Sequence, residues 1–261
     1  MTKNNKTHFG FKDVNKSDKT HLVKNIFSNV AEKYDLMNDL MSASIHRLWK
    51  IEMVKHIDFC VQGKKLRNYE HKFKIIDLAG GTGDIAFRIA KKAKTENINC
   101  HINVVDINKE MLEVGKKRNI NCKSYNNIDF ICQDGENLQF KDNYFDYFTI
   151  AFGIRNFTDI NRALSEAYRV LKPGGKFICL EFSKVNDYFL QKIYNFYSFK
   201  IIPKIGELIL NDRDSYQYLV ESIRKFPNQE NFAKMISENN FKNVSYKNLT
   251  FGTVAIHIGQ K

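Results

Sequence analysis

Three aspartates close three short apolar runs. Asp77 stands at the end of Lys74-Ile75-Ile76-Asp77-Leu78, Asp106 near the end of residues 101–107, and Asp134 just after residues 128–132, in Cys132-Gln133-Asp134-Gly135-Glu136. Between the first run and the next helical pattern lies Ala79-Gly80-Gly81-Thr82-Gly83-Asp84. Glycines there let the backbone turn sharply and approach a ligand closely. Gly81-x-Gly83-x-x-Ala86 also matches a dinucleotide fingerprint, in which the helix N-terminus faces a pyrophosphate. The glycines alone leave both readings open. Asp77 separates them, because a carboxylate repels a phosphate but attracts a cationic aminoacyl group. Asp106 has two oxygens for two ribose hydroxyls, a feature shared with nicotinamide binders. Asp134 is placed to accept from an adenine amino group. Any one of these can be a solvated carboxylate at a loop start, but the three together suit a ligand that is a cation joined to a nucleoside.

Such residues must be held at strand ends, and the rest of the chain supplies the strands. From residue 73 onward strand, loop and helix alternate. Strands are expected at 74–78, 101–107, 128–132, 144–151 and 176–182. A helix is expected between Asp159 and Leu171, from Ile160, Ala163, Leu164, Ala167, Val170 and Leu171, and Pro173-Gly174-Gly175 is expected to stop it. Alternating strands and helices specify a mostly parallel sheet covered on both faces. Residues 243–249 and 253–259 flank Thr250-Phe251-Gly252 and read as a closing hairpin. A parallel sheet of seven strands that ends on an antiparallel hairpin is the pattern of class I methyltransferases, an α/β Rossmann-like fold, and is uncommon in dehydrogenases. Upstream, a polar segment to about Asn25 precedes a helix with Ile26, Phe27, Val30, Tyr34 and Met37 near one face. A second helix is expected at 44–59, then a charged connector at 63–72. The chain thus divides into an N-terminal helical segment, 1–72, that caps the substrate site, and a catalytic domain, 73–261, with a helical insertion at about 186–226. Together they form one structural unit.

Further blocks are more specific. Tyr34-Asp35-Leu36-Met37-Asn38-Asp39-Leu40-Met41-Ser42, followed by His46 and Trp49, resembles the N-terminal signature of the ubiquinone/menaquinone biosynthesis C-methyltransferases. The stretch 169–183, which contains Leu171-Lys172-Pro173-Gly174-Gly175, resembles their second signature. Residues 152–158, 202–206 and 216–227 are similar to further family blocks, so the likeness runs from about His8 to the C-terminus. It implies S-adenosyl-L-methionine as cofactor, contacted by Thr82, Asp106, Asp134 and Gly135, beside Asp77, Gly81 and Gly83. Many relatives carry Ser where this chain has Ala151, so that position is carried over through its backbone alone. The resemblance also implies a polyprenylated benzoquinol or naphthoquinol as acceptor, with peripheral membrane contact and a homodimer or quinone-biosynthesis complex as further candidates.

A ring carbon becomes a nucleophile when an adjacent hydroxyl gives up its proton and charge enters the ring. Arg155 is the leading candidate to stabilise that phenolate, with Asn156 orienting a ring oxygen. An arginine's high pKa makes it a poor free base. Tyr34 is a candidate donor to the substrate. His46 is a candidate base, although a lone histidine between helices is more often structural. Trp49 reads as core, and a run of aromatic and aliphatic residues from Tyr188 to Ile202 reads as a greasy wall, or as packing against the N-terminal helices.

Lys+Arg exceed Asp+Glu by 41 to 29, a formal charge of +12. That surplus attracts polyanions, but it is spread over the whole chain and also fits a simple compositional bias. A nucleic-acid methyltransferase is disfavoured, because Phe152-Gly153-Ile154-Arg155 replaces the Asn/Asp-Pro-Pro-aromatic motif of the amino-group methylators. A non-catalytic, cofactor-binding scaffold is the other rival. Five scattered cysteines without metal-ligand spacing fit buried thiols in a reducing compartment, and no apolar run reaches the length of a membrane span. The expectation is a cytoplasmic protein, at most peripheral at the inner membrane surface.

Overall fold

The computed structural model describes residues 6–30, 38–39, 42, 44–61, 64–65, 71–121, 125–185 and 213–261. The central sheet has seven strands: Phe73–Leu78 (β5), Cys100–Asp106 (β6), Ile128–Cys132 (β7), Phe145–Ala151 (β8), Leu171–Phe182 (β9), Lys242–Leu249 (β10) and Val254–Gln260 (β11). Their order across the sheet is β10-β11-β9-β8-β5-β6-β7. All neighbours are parallel except that β11 runs antiparallel to both β9 and β10. Strands buried on both faces need near-continuous apolar text, and β8 is buried at Phe145 through Ile150. Alternation does the sorting. Ile75, Ile102 and Val104 join one core with Trp49, Met53, Ile85 and Ile89, whereas Ile76, Val105 and Ile150 join the other with Leu164, Ala167, Phe232 and Ile236.

Helices cover both faces. Lys16–Val30 (α1) and His46–Lys55 (α2) come from the N-terminal segment. Asp84–Thr95 (α3), Lys109–Asn121 (α4) and Ile160–Val170 (α5) connect the strands. Arg213–Lys225 (α6) and Gln229–Glu238 (α7) precede the closing hairpin. On α5, Ala163, Leu164, Ala167 and Val170 are buried at helical spacing, and the Asp159 side chain caps the first turn by accepting from the Arg162 amide.

The N-terminal segment departs from the expected helices. A hairpin of Lys6–Phe9 (β1) and Lys12–Asn15 (β2) turns at Gly10, whose φ is +59°, and α1 begins at Lys16 inside the supposed polar lead. A second small hairpin, Cys60–Val61 (β3) with Lys64–Lys65 (β4), lies in the connector. The Pro173-Gly174-Gly175 stretch also has a different place. Leu171 is already extended and paired with Phe145, while the next register pair is Lys176 with Tyr147, so Pro-Gly-Gly bulges from within β9 rather than ending α5. Of the expected insertion, the part that becomes α6 is described. Residues 186–212, and with them the aromatic run and the 202–206 block, lie outside the described residues.

The chain enters the sheet at β5, moves outward through β6 and β7, and returns to the other side of β5 with β8. Loops from β5 and β8 therefore diverge, and the crevice between them is where such sheets bind ligands.

Candidate active site

A cleft opens at the carboxyl ends of β5, β6, β7 and β8. Its wall includes Asp77, Gly81, Thr82, Asp106, Asp134, Gly135, Ala151 and Asn156. Local backbone geometry builds it. Ala79, directly after β5, and Phe152, directly after β8, both hold positive φ, +50° and +56°. For residues with a Cβ this region costs about 1–3 kcal/mol each, and it clusters at functional sites. Gly81, at φ +50°, turns its amide onto the Asp106 carboxylate, donating to Oδ2 at 3.0 Å, while Asn108 N donates to Oδ1 at 2.8 Å. Each carboxylate oxygen has a second lone pair, so both can still accept from a ligand. Burial pushes the Asp106 carboxyl up to about 6, against the pull of these amides.

Asp77 is 1% exposed. Its Oδ1 accepts from Thr149 Oγ1 at 2.8 Å, and its Oδ2 has no partner among the described residues. Burial raises this carboxyl to about 7, with the Asp84 charge adding to the rise and Thr149, the Ala86 amide and Lys50 opposing it. An orphaned buried oxygen at the edge of a cleft is an unmet demand for a donor. Close by, a Cβ on Gly80 would lie 2.7 Å from Val104 Cγ1 and 2.9 Å from Asp77 Oδ2, and one on Gly135 would lie 2.7 Å from Phe157 Cε1. Only bare backbone fits against these side chains, so glycine lets the cleft wall pack this closely. An open anionic oxygen, a second carboxylate with spare lone pairs and a glycine-lined wall together fit a cationic nucleoside.

On the β8 side, Arg155 and Asn156 occupy a short 3-10 turn, Ile154–Asn156. Asn156 lines the cleft, and Tyr218 on α6 donates to its Oδ1 at 3.0 Å. Arg155 does not line it. The guanidinium is 3% exposed, donates to Glu181 Oε1 at 2.9 Å and to Ser222 Oγ at 3.3 Å, and hydrogen-bonds the Phe152 carbonyl. Its partners occupy the charge that the sequence assigned to a phenolate. In this arrangement it clamps the strained Phe152 turn that carries Asn156.

The near wall comes from the N-terminal helices, the segment the sequence assigned to the cap, but through residues that sequence reasoning did not single out. Thr20, Val23, Lys24 and Phe27 of α1 face the cleft. Lys19 Nζ donates to Phe157 O at 2.8 Å at one end, while Asn108 Nδ2 donates to Lys24 O at 3.1 Å at the other. Lys50 of α2 also lines the cleft, with its Nζ 2.9 Å from Asp84 Oδ2.

The remaining expectations scatter. Gly83 does not line the cleft; at φ 80° it forms the N-cap of α3. His46 sits away from the wall with Nε2 2.9 Å from Asp39 Oδ1, and burial lowers its pKa. Trp49 packs 6.2 Å from both Phe152 and Phe182 and donates to Thr250 Oγ1 at 2.8 Å. Tyr34 lies outside the described residues.

A family model described as the ubiE/COQ5 methyltransferase family matches residues 12–261. A protein of Rickettsia bellii named ubiquinone/menaquinone biosynthesis C-methyltransferase UbiE is 52% identical over 98% of this chain and 99% of its own length. Its namesake in Rickettsia prowazekii is 54% identical over 98% of each chain. Among solved structures, an S-adenosylmethionine-dependent methyltransferase of Thermotoga maritima superposes with a TM-score of 0.56 at 20% identity, covering 91% of this chain and 99% of that one. One from Aquifex aeolicus gives 0.55 at 14%, over 87% and 97%. Likeness at that identity speaks for the fold. Among the described residues, no helix is long and apolar enough to cross a membrane.

Proposed function

The chain belongs to the ubiE/COQ5 methyltransferase family, and from that premise we propose that it methylates a ring carbon of a quinol on the route to ubiquinone or menaquinone. It is an S-adenosylmethionine-dependent C-methyltransferase. The observation that carries the reading at the site is the open Oδ2 of Asp77 beside Asp106, in a cleft that continues to Asn156.

When bound, S-adenosylmethionine supplies an electrophilic methyl group on a positively charged sulfur. The protein's part is placement, which is worth much of such a barrier. Asp77 Oδ2 takes the ammonium of the aminoacyl end. Asp106 receives the ribose hydroxyls through its remaining lone pairs, and Asp134 the adenine amino group. Across the cleft, Tyr218 holds the oxygen of the Asn156 carboxamide, which leaves its NH2 to donate to a ring oxygen as negative charge develops there. Arg155 supports this from behind by fixing the turn. Tyr34, from the N-terminal segment, is assigned as a hydrogen-bond donor to the substrate or as a carrier for the ring proton. That proton leaves to water once the methyl group has moved from sulfur to carbon. The surplus of 41 basic over 29 acidic residues supports a prenylated acceptor met at an acidic bilayer surface, from the cytoplasmic side.

The test is methyl transfer by the purified protein to a demethylated benzoquinol and, separately, to a demethylated naphthoquinol. A labelled methyl group on either ring carbon is expected. Cofactor binding without transfer to any quinol would refute the proposal and point to a scaffold.

A further inference from the structure

Three charged side chains gather at the amino end of α3, and their charges do not cancel. Asp84 is shared between two cations: its Oδ2 meets Lys50 Nζ at 2.9 Å and its Oδ1 accepts from Arg88 Nε at 3.1 Å. Burial disfavours the Asp84 carboxylate, but Lys50 and Arg88 outweigh it and hold the group below its ordinary range. One carboxylate against two cations leaves a positive charge in excess. Arg88 is the more exposed of the two, with 25% of its side chain accessible against 6% for Lys50, so water can serve Arg88 and cannot readily serve Lys50. An ammonium has three protons. Lys50 gives one to Asp84 and has no second hydrogen-bond acceptor among the described residues. On the same wall, Asp77 Oδ2 is a buried acceptor without a donor. One unmatched group of each sign thus lines one cleft, and a buried charge without a partner is costly.

We propose that Lys50 receives the carboxylate of the methionine end of S-adenosylmethionine, so that Lys50 and Asp77 together recognise the α-amino-acid zwitterion. The inference rests on the reading of the cleft as the S-adenosylmethionine site and adds to it the residue that binds the acid end. The fold prepares Lys50 for this role. Its helix is anchored by Met53, 0% exposed, and by the Trp49 indole bonded to Thr250, so the ammonium is held in the wall rather than waving from the surface. A lysine arriving from an N-terminal helix also couples this cap to cofactor occupancy, since α2 gains a contact when the carboxylate arrives.

Binding, rather than turnover, tests the assignment, with three ligands titrated by calorimetry. S-adenosylhomocysteine carries the zwitterion, decarboxylated S-adenosylmethionine keeps the ammonium alone, and 5′-methylthioadenosine lacks both. Lys50→Met should weaken S-adenosylhomocysteine by about ten- to a hundredfold, the range of one charge-assisted hydrogen bond. It should not weaken methylthioadenosine, nor the decarboxylated compound, whose two cationic groups Lys50 repels. Lys50→Arg, which keeps the charge, should retain most of the affinity. The pair Lys50→Met with Asp84→Asn removes the carboxylate that the single variant strands, and should reproduce the same selectivity in a protein free of that defect. Equal weakening of all three ligands in both Lys50→Met proteins would show Lys50 to be only a strut between α2 and α3, and would overturn the proposal. So would undiminished binding of S-adenosylhomocysteine. If the wild-type protein bound none of the three, the cofactor reading itself would fall and the inference with it.

Discussion

Replacing Arg155 with Met strands Glu181, which is 1% exposed and loses its guanidinium partner. Breaking a buried pair in this way costs about 3–5 kcal/mol, a large share of the roughly 5–15 kcal/mol that holds a domain folded. The loss depends on pH. Burial already raises the Glu181 carboxyl, and the Arg155 charge pulls it back. Without the guanidinium only the backbone amides of residues 155 and 182 oppose the rise, and the folded protein takes up a proton. A carboxyl whose pKa is higher in the folded state contributes stability at low pH and loses it as pH climbs from the unfolded value through the folded one, by at most about 1.4 kcal/mol per unit. The gap between wild type and Arg155→Met should therefore be wider near pH 8 than near pH 6. Urea unfolding can follow it through the fluorescence of Trp49, the one tryptophan in the chain, which packs against Phe152 and Phe182. Changing both residues, Arg155→Met with Glu181→Leu, leaves no unpaired charge at this position and should restore most of the stability. Turnover should stay low, because the Phe152 carbonyl still lacks the guanidinium that holds its turn. A single variant as stable as wild type at both pH values would refute the buried-pair argument. A double variant that regained full turnover would refute the clamp.

Two further outcomes follow from the cleft. Asp77 is raised by burial to about 7, so below that pH the site is neutral there and attracts a cation poorly. Affinity for S-adenosylhomocysteine, titrated across that range, should rise with pH through about 7 in the wild type and be weak and flat in Asp77→Asn; a flat wild-type profile would remove Asp77 from cofactor binding. Gly135→Ala would press a methyl group to 2.7 Å from Phe157 Cε1 and 2.9 Å from both Leu78 methyls. It should cost about 1–3 kcal/mol of stability, read as a lower melting temperature, together with weaker cofactor binding. An unchanged melt and titration would show that the cleft floor yields.

The middle of the sheet was legible because its strands are buried on both sides and so spell apolar runs that end in loop residues, as Phe145–Ala151 does. The order of the carboxylates was legible for the same reason, since each follows such a run. Less legible was whatever depended on distant partners. Arg155 stands where the sequence put it, next to Asn156 after β8, but Glu181 and Ser222, which claim its guanidinium, are remote in the chain, and nothing local marks them. Lys50 gave no signal at all, because one lysine among 41 basic residues is unremarkable until α2 brings it against Asp84. The hairpin at Lys6–Asn15 failed differently. Its strands are four residues each and mostly charged or polar, and they are held by contacts made elsewhere: Phe9 stacks on Tyr218 at 4.4 Å, and Phe11 N donates to Glu221. Tertiary packing overrode weak strand text there.

Thr149 sits in the middle of β8 with 0% exposure, and its hydroxyl lies 2.8 Å from one oxygen of Asp77 and 3.2 Å from the carbonyl of Ile76. A carboxylate tethered by one oxygen is no longer free to spin about its bond, so the other oxygen faces a single direction. In the proposed reading, the heading from which the cation arrives is thereby set when the sheet assembles. Less rotational freedom of that group is then left to be lost later, when the donor and the ring have to be brought into line.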